Sequence, residues 1–166
     1  DIEVKDICEA ACGTGSMACA LARRGYHVVA SDISEDMLSA ADRKANAQGL
    51  PVRFVLQDMR RSVMYAQKDL YLCLLDSMNY LLTKDDVLSA LSSAKSCLKP
   101  GGLFIFDMNS RKKFETVYAQ NDYVLETDDV YCGWENEYNE KSRICRFYLS
   151  IFRENADGTY TRADEE

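Results

Sequence analysis

Residues Glu9-Ala10-Ala11-Cys12-Gly13-Thr14-Gly15 decide the fold class of this chain. They leave a short strand candidate, Asp6 to Ala10, and enter a segment of helical pattern from about Ser16 to Arg24. Glycines at such a junction let the backbone turn tightly and come close to a ligand, and the free amides of a helix start favour an anionic group. Strand, glycine turn and helix in that order open a parallel α/β sheet.

The pattern repeats outward from this unit. Gly25 can take the left-handed conformation that ends helices, and His27 to Ser31 is a second strand. Ser34 is a suitable N-cap, with Glu35 and Asp36 favourably placed against the helix dipole. That helix runs to about Gln48 and stops at Gly49 and Pro51. Val52 to Gln57 reads as a third strand, and Asp69 to Leu75 as a fourth, apolar enough to be buried on both faces. Thr83 caps a helix reaching about Leu98, Lys99-Pro100-Gly101-Gly102 breaks it, and Leu103 to Met108 is a fifth strand. Short loops between these elements imply a parallel sheet with helices on both faces.

The character changes after Asn109. Arg111 to Tyr118 is a short helix candidate, and from about Tyr123 the chain becomes tyrosine-rich and alternating. The segments Tyr123 to Leu125, Val130 to Tyr138, Ile144 to Phe152 and Tyr160-Thr161, with a hairpin turn at Asn155 to Gly158, predict an antiparallel extension. Two regions follow: a parallel α/β domain over 1–110 and an antiparallel β region over 111–166. No internal repeat or low-complexity tract is present.

Composition narrows the function classes. The 166 residues suffice for one real core with an appendage. A net charge of −7 argues against a nucleic-acid partner, which needs a basic patch to neutralise phosphates. Arg23-Arg24, Arg60-Arg61 and Arg111-Lys112-Lys113 read as solvated helix ends and loops. No apolar run approaches the roughly 20 residues of a membrane span, so no membrane partner is expected. The seven cysteines are odd in number, lack a Cys-x-x-Cys pair and lie mostly in apolar surroundings, as expected of reduced thiols in a cytoplasmic protein. With His27 the sole histidine and no ligand spacing, no metal site is expected.

Asp32 ends the second strand nineteen residues after Gly13, where a carboxylate can accept both hydroxyls of a ribose. Asp58 follows the third strand in a similar position. The loops after strands one, two and three thus line one crevice, where open parallel sheets bind ligands. Each feature alone has a plainer reading. The glycines can be a simple turn, Asp32 a solvated strand-end carboxylate, Asp76 and Asn79 caps of the next helix, and Tyr80 a core residue. Cys12 suits packing better than nucleophilic chemistry, and Trp134, the single tryptophan, suits a core or sheet-face anchor. The joint spacing is what lifts the set.

That spacing resembles the class I S-adenosylmethionine-dependent methyltransferases. Glu9-x-Ala11-x-Gly13-x-Gly15 resembles their first motif, Asp32 matches their ribose-binding acid, and Gln57-Asp58-Met59 is similar to their adenine-binding stretch, with Asp58 facing the exocyclic amine. Cys73 to Tyr80 looks like the motif after strand four, and Leu98 to Gly102 like the turn before strand five. The resemblance covers residues 6 to 108 and implies a Rossmann-like sheet of order 3-2-1-4-5. It further implies S-adenosylmethionine as cofactor, S-adenosylhomocysteine as product, and a small-molecule acceptor methylated on nitrogen or oxygen by in-line displacement. Carried over, the cofactor-binding positions are Glu9, Ala11, Cys12, Gly13, Gly15, Asp32, Ile33, Asp58, Met59 and Leu75, with Asp76, Asn79 and Tyr80 on the acceptor side. One departure stands out: the family usually has glycine where this chain has Ala11.

Two competing readings stay open at this point. Gly13-x-Gly15-x-x-Ala18 is a loose dinucleotide fingerprint, so a nicotinamide-dependent oxidoreductase is one. A non-catalytic S-adenosylmethionine-binding module is the other. Family members carry a helical segment before strand one and two more strands after the insertion, so the chain is expected to be a fragment cut short at both ends. An uncovered sheet edge would then invite homodimerisation.

Overall fold

The computed structural model describes residues 3–166, which divide into two compact units, one ending at Met108 and one spanning Asn109–Glu166. The first unit alternates strand and helix: β1 (Asp6–Ala10), α1 (Ser16–Arg23), β2 (His27–Asp32), α2 (Glu35–Ala47), β3 (Arg53–Leu56), β4 (Lys68–Cys73), α3 (Lys84–Cys97) and β5 (Leu98–Phe106). All four pairings are parallel and the strand order is β3-β2-β1-β4-β5, a Rossmann-like sheet of the expected order.

The helix starts form where short polar side chains meet free amides. Ser34 Oγ accepts from the Met37 amide at 3.3 Å, and Thr83 Oγ1 accepts from the Asp86 amide at 3.1 Å. Alternation along β1 sends Cys8 and Ala10 to one face, into a core with Tyr71, Ala94 and Cys97. The other face packs Val28 and Ala30 against Ala18, Ala22 and Leu38 of α1 and α2. Alanine and cysteine dominate both layers, so the helices can lie close to the sheet.

β5 starts earlier than the sequence pattern implies. Lys68 pairs with Leu98, and the next paired positions are Leu70 and Leu103. Lys99 to Gly102 is therefore a bulge inside β5 rather than a break before it. Tertiary contacts hold it there: Lys99 Nζ reaches Asp69 Oδ1 at 2.8 Å and Asp6 Oδ2 at 3.1 Å. The other Asp69 oxygen accepts from the backbone amides of Lys5 and Asp6 at 2.9 and 2.8 Å. This clasp joins the beginnings of β1, β4 and β5.

The second unit holds α4 (Arg111–Thr116), a 3₁₀ turn (Tyr118–Gln120) and an antiparallel sheet of order β6-β7-β8-β9, with β6 (Tyr123–Glu126), β7 (Val130–Asn139), β8 (Ile144–Glu154) and β9 (Tyr160–Glu165). Trp134 anchors it, ringed by Tyr118, Tyr123 and Phe147 at centroid distances of 5.1 to 6.0 Å within the cluster. The β7–β8 hairpin turns through Arg143 at φ 58°, a left-handed non-glycine residue that no turn signal announces. Among the described residues, no helix is long and apolar enough to cross a membrane.

Candidate functional site

At the carboxyl ends of β1, β2 and β3 the chain forms an open cleft of about 560 Å³, open solvent included. Ala11, Asp32, Ile33, Asp58 and Met59, all proposed from the sequence, line it. Tyr80, expected on the acceptor side, lines the same cleft.

Asp32 is fixed by the backbone around it. Its Oδ2 accepts from the Gly13 amide at 2.8 Å and its Oδ1 from the Ser34 amide at 2.9 Å. The glycine turn and the entry to α2 thereby hold one carboxylate at the cleft, with lone pairs left for a ligand. The turn itself is closed by the Gly15 amide on the Cys12 carbonyl at 2.9 Å and tied to β2 by the Cys12 amide on the Ser31 carbonyl at 3.0 Å. Gly13 lies at φ 52° with open space where a Cβ would stand. Gly15 serves another need: a Cβ there would meet the Ala41 Cβ at 2.8 Å, so it sets the approach of α2 and not only the turn. Ala11 also lies at φ 52°, the left-handed region where glycine is comfortable and alanine costs about 1 kcal/mol or more.

Glu9 lies beneath this turn, 4% exposed, and its Oε2 has no hydrogen-bond partner. Burial pushes its carboxyl up to about 7; the Ala18 backbone opposes the shift and the negative Asp32 adds to it. Cys12 is buried beside Ala18 and Leu38, and burial pushes its thiol up to about 12, which removes it as a nucleophile at neutral pH.

Beyond β4 the backbone is strained. Leu75 and Asp76 follow one another at φ 57° and 53°, an arrangement that costs on the order of 1 kcal/mol or more per residue. The Asp76 amide donates to Asp107 Oδ2 at 3.0 Å, Leu75 is largely exposed, and Asn79 sits in the 3₁₀ turn Ser77–Tyr80. Asp76 and Asn79 are not among the residues lining the cleft.

Gln57, within the stretch singled out in the sequence, lines the cleft as well; sequence reasoning missed two lining residues, Leu81 and Arg60. The Gln57 side chain is spent on the backbone of Val63. Arg60, taken for a solvated loop residue, is instead clamped between two carboxylates, Asp58 and Asp86. The spacing Asp58-x-Arg60 was the available signal for the first contact; the second joins residues 26 positions apart.

A parallel sheet of this order with a glycine turn after β1, an acid at the end of β2 and a second acid after β3 has the form of a nucleotide-cofactor domain. Residues 7–102 match the methyltransferase domain family, and the chain belongs to it, among the class I enzymes whose cofactor is S-adenosylmethionine. YqeM of Bacillus subtilis (strain 168), provisionally named a methyltransferase, is 34% identical over 96% of the chain and 64% of its own length. A crystal structure of an S-adenosylmethionine-dependent methyltransferase from Clostridium acetobutylicum ATCC 824 superposes with a TM-score of 0.89 at 35% identity, over 99% of this chain and 65% of that one. The glycine/sarcosine N-methyltransferase of Halorhodospira halochloris is 27% identical over 94% of the chain and 62% of its own length. The chain therefore spans a little under two thirds of the relatives it matches.

Proposed function

We propose that this chain binds S-adenosylmethionine in the cleft at the carboxyl ends of β1 to β3 and serves methylation of a small-molecule acceptor on nitrogen or oxygen. The observation that carries the reading is Asp32, held at the cleft by two backbone amides with its remaining lone pairs open to ribose hydroxyls. Ile33 and Met59 offer apolar surface for the base, and Asp58 an acceptor for its amine. The turn Ala11-Cys12-Gly13-Thr14-Gly15 brings backbone close to the ligand, and the Glu9 carboxyl, whose Oε2 has no hydrogen-bond partner, suits a cationic group above it. Leu75 flanks the cofactor at the exit of β4, with Asp76, Asn79 and Tyr80 towards the acceptor.

When bound, S-adenosylmethionine supplies a methyl group on a positively charged sulfur. The chain's own part is to hold and orient, so that proximity supplies much of the rate. An amine acceptor must arrive uncharged, and an oxygen acceptor requires a base. Support for a small acceptor comes from the acidic net charge and from relatives named for both chemistries, the glycine/sarcosine N-methyltransferase and a ubiquinone biosynthesis O-methyltransferase of Actinobacillus pleuropneumoniae serotype 5b (strain L20), 30% identical over 73% of the chain. A cytoplasmic location belongs to the same reading and draws on seven free cysteines, five of them buried. Pairing of two copies along an exposed strand edge belongs to it too, and sedimentation measures it.

Calorimetric titration with S-adenosylhomocysteine, with NAD as control, tests the proposal. One-to-one binding that weakens by about 100-fold or more in Asp32→Ala is expected, since two hydrogen bonds to a charged group are lost. Binding of NAD in place of S-adenosylhomocysteine would move the assignment to an oxidoreductase.

A further inference from the structure

Arg60 lies in the short turn after β3, lines the cleft, and joins the cleft residue Asp58 to Asp86 of α3. Its backbone amide donates to Asp58 Oδ1 at 2.9 Å, and its Nε to Oδ1 and Oδ2 at 3.0 and 2.9 Å. Nη2 donates to Oδ2 at 2.5 Å. The remaining arm of the guanidinium, Nη1, donates to Asp86 Oδ1 at 2.8 Å, in the first turn of α3. Asp86 is itself fixed, because its Oδ2 accepts from Thr83 Oγ1, the cap of the same helix, at 2.7 Å. Tyr80 and Leu81, which complete the cleft, lie just ahead of that cap.

We propose that Arg60 is a positioning residue for base selectivity: by bridging Asp58 to Asp86 it holds the Asp58 carboxylate in one orientation at the cleft, as a fixed hydrogen-bond acceptor. The inference rests on the cofactor reading above. The planar fork of an arginine fixes a carboxylate in a way a lysine ammonium cannot. An ionised carboxylate only accepts hydrogen bonds, so a base edge that offers an amino group is favoured and one that offers a carbonyl is repelled. Arg60 also holds the Asp58 carboxyl below its ordinary range, chiefly through the side-chain hydrogen bond. Without the strut, the carboxylate can turn to water and tolerate either edge. Its neighbour Arg61 is exposed and takes no part in the bridge.

The test compares S-adenosylhomocysteine with S-inosylhomocysteine, in which the 6-amino group is replaced by a carbonyl. Calorimetry on the wild-type chain is expected to favour the adenosyl ligand on the order of 10- to 100-fold, the range of one hydrogen bond to a charged group. In Arg60→Met this ratio falls to within about fivefold, Arg60→Lys recovers part of it, and Asp86→Ala lowers it by removing the acceptor at one end of the strut. A merely structural role would weaken both ligands alike and leave the ratio untouched, and that result overturns the inference. Should Arg60→Met fail to fold, Asp86→Ala and Arg60→Lys carry the same comparison, and unchanged ratios in both sink it. A wild-type chain that binds neither ligand overturns the cofactor reading and this inference together; a selective wild type with equally selective variants overturns this inference alone.

Discussion

Tyr71 in the parallel unit is 2% exposed, edge-on to Phe104 at 5.4 Å with its hydroxyl 2.9 Å from Ser62 Oγ, whereas Trp134 in the antiparallel unit stays partly exposed among three other rings. The contrast is general. Among the described residues, every buried one lies in the parallel unit; Asn109–Glu166 holds together through half-covered aromatics and cross-strand pairs. Burial is also what moves titration. Glu9, Cys8, Cys12, Tyr71 and Cys73 are all displaced first by desolvation, and in the antiparallel unit only Cys145 is. A dry interior capable of unusual acid–base behaviour exists in one unit and hardly in the other.

The comparison can be broken most sharply by removing each unit's central ring. Tyr71→Ala is expected to cost about 4 kcal/mol, a full core deletion that also removes the shorter of two hydrogen bonds made by Ser62 Oγ. A loss under about 2 kcal/mol in urea unfolding would show that the parallel core is looser than its burial implies. The next effect is pH dependence. The folded-state pKa of Glu9 stands above its ordinary value near 4.5, so its contribution is fully present below that value and is lost as pH rises through about 7. Ligand-free stability should fall by roughly 3 kcal/mol across that window, and Glu9→Gln should flatten the profile. Stability contributed by Asp58 and Asp69, whose carboxyls are held below their ordinary range, is lost only at more acidic pH, as they protonate.

Trp134→Ala should cost less than its counterpart, about 2 kcal/mol, because the ring is only half-covered. A cost equal to that of Tyr71→Ala would erase the distinction between the units. The smallest change expected is a gain. Ala11→Gly relieves a left-handed alanine and should stabilise the chain by about 0.5 to 1 kcal/mol, after allowance for the looser unfolded chain. Thermal denaturation reads it directly, and destabilisation would mean that the alanine methyl makes contacts worth more than its strain.

Local chemistry was legible in the sequence and long-range pairing was not. The caps at Ser34 and Thr83, the strand at Asp6–Ala10 and the turn through Gly13 could be read because each depends on residues within a few positions. The same holds for Asp32, whose partners Gly13 and Ser34 belong to the motif that pointed to it. The bulge in β5 was hidden because Lys99 is held by Asp6, 93 positions away. Arg60 was hidden for a like reason: a basic pair in a loop looks solvated until α3 brings Asp86 to it. Tyr80 is an acceptor-side candidate in the sequence, but its place in the cleft lining with Ile33 and Met59 depends on how the turn after β4 folds back.

The clasp of Lys99, Asp6 and Asp69 bears on kinetics more than on shape. A link across 93 residues closes only after the strands it joins have met, because loop closure must precede it. It cannot speed the search for the fold. Its loss would steepen the escape from the native state and leave the folding limb of a chevron where it was. Three charged side chains at the rim of the sheet act, in that sense, as a brake on unfolding.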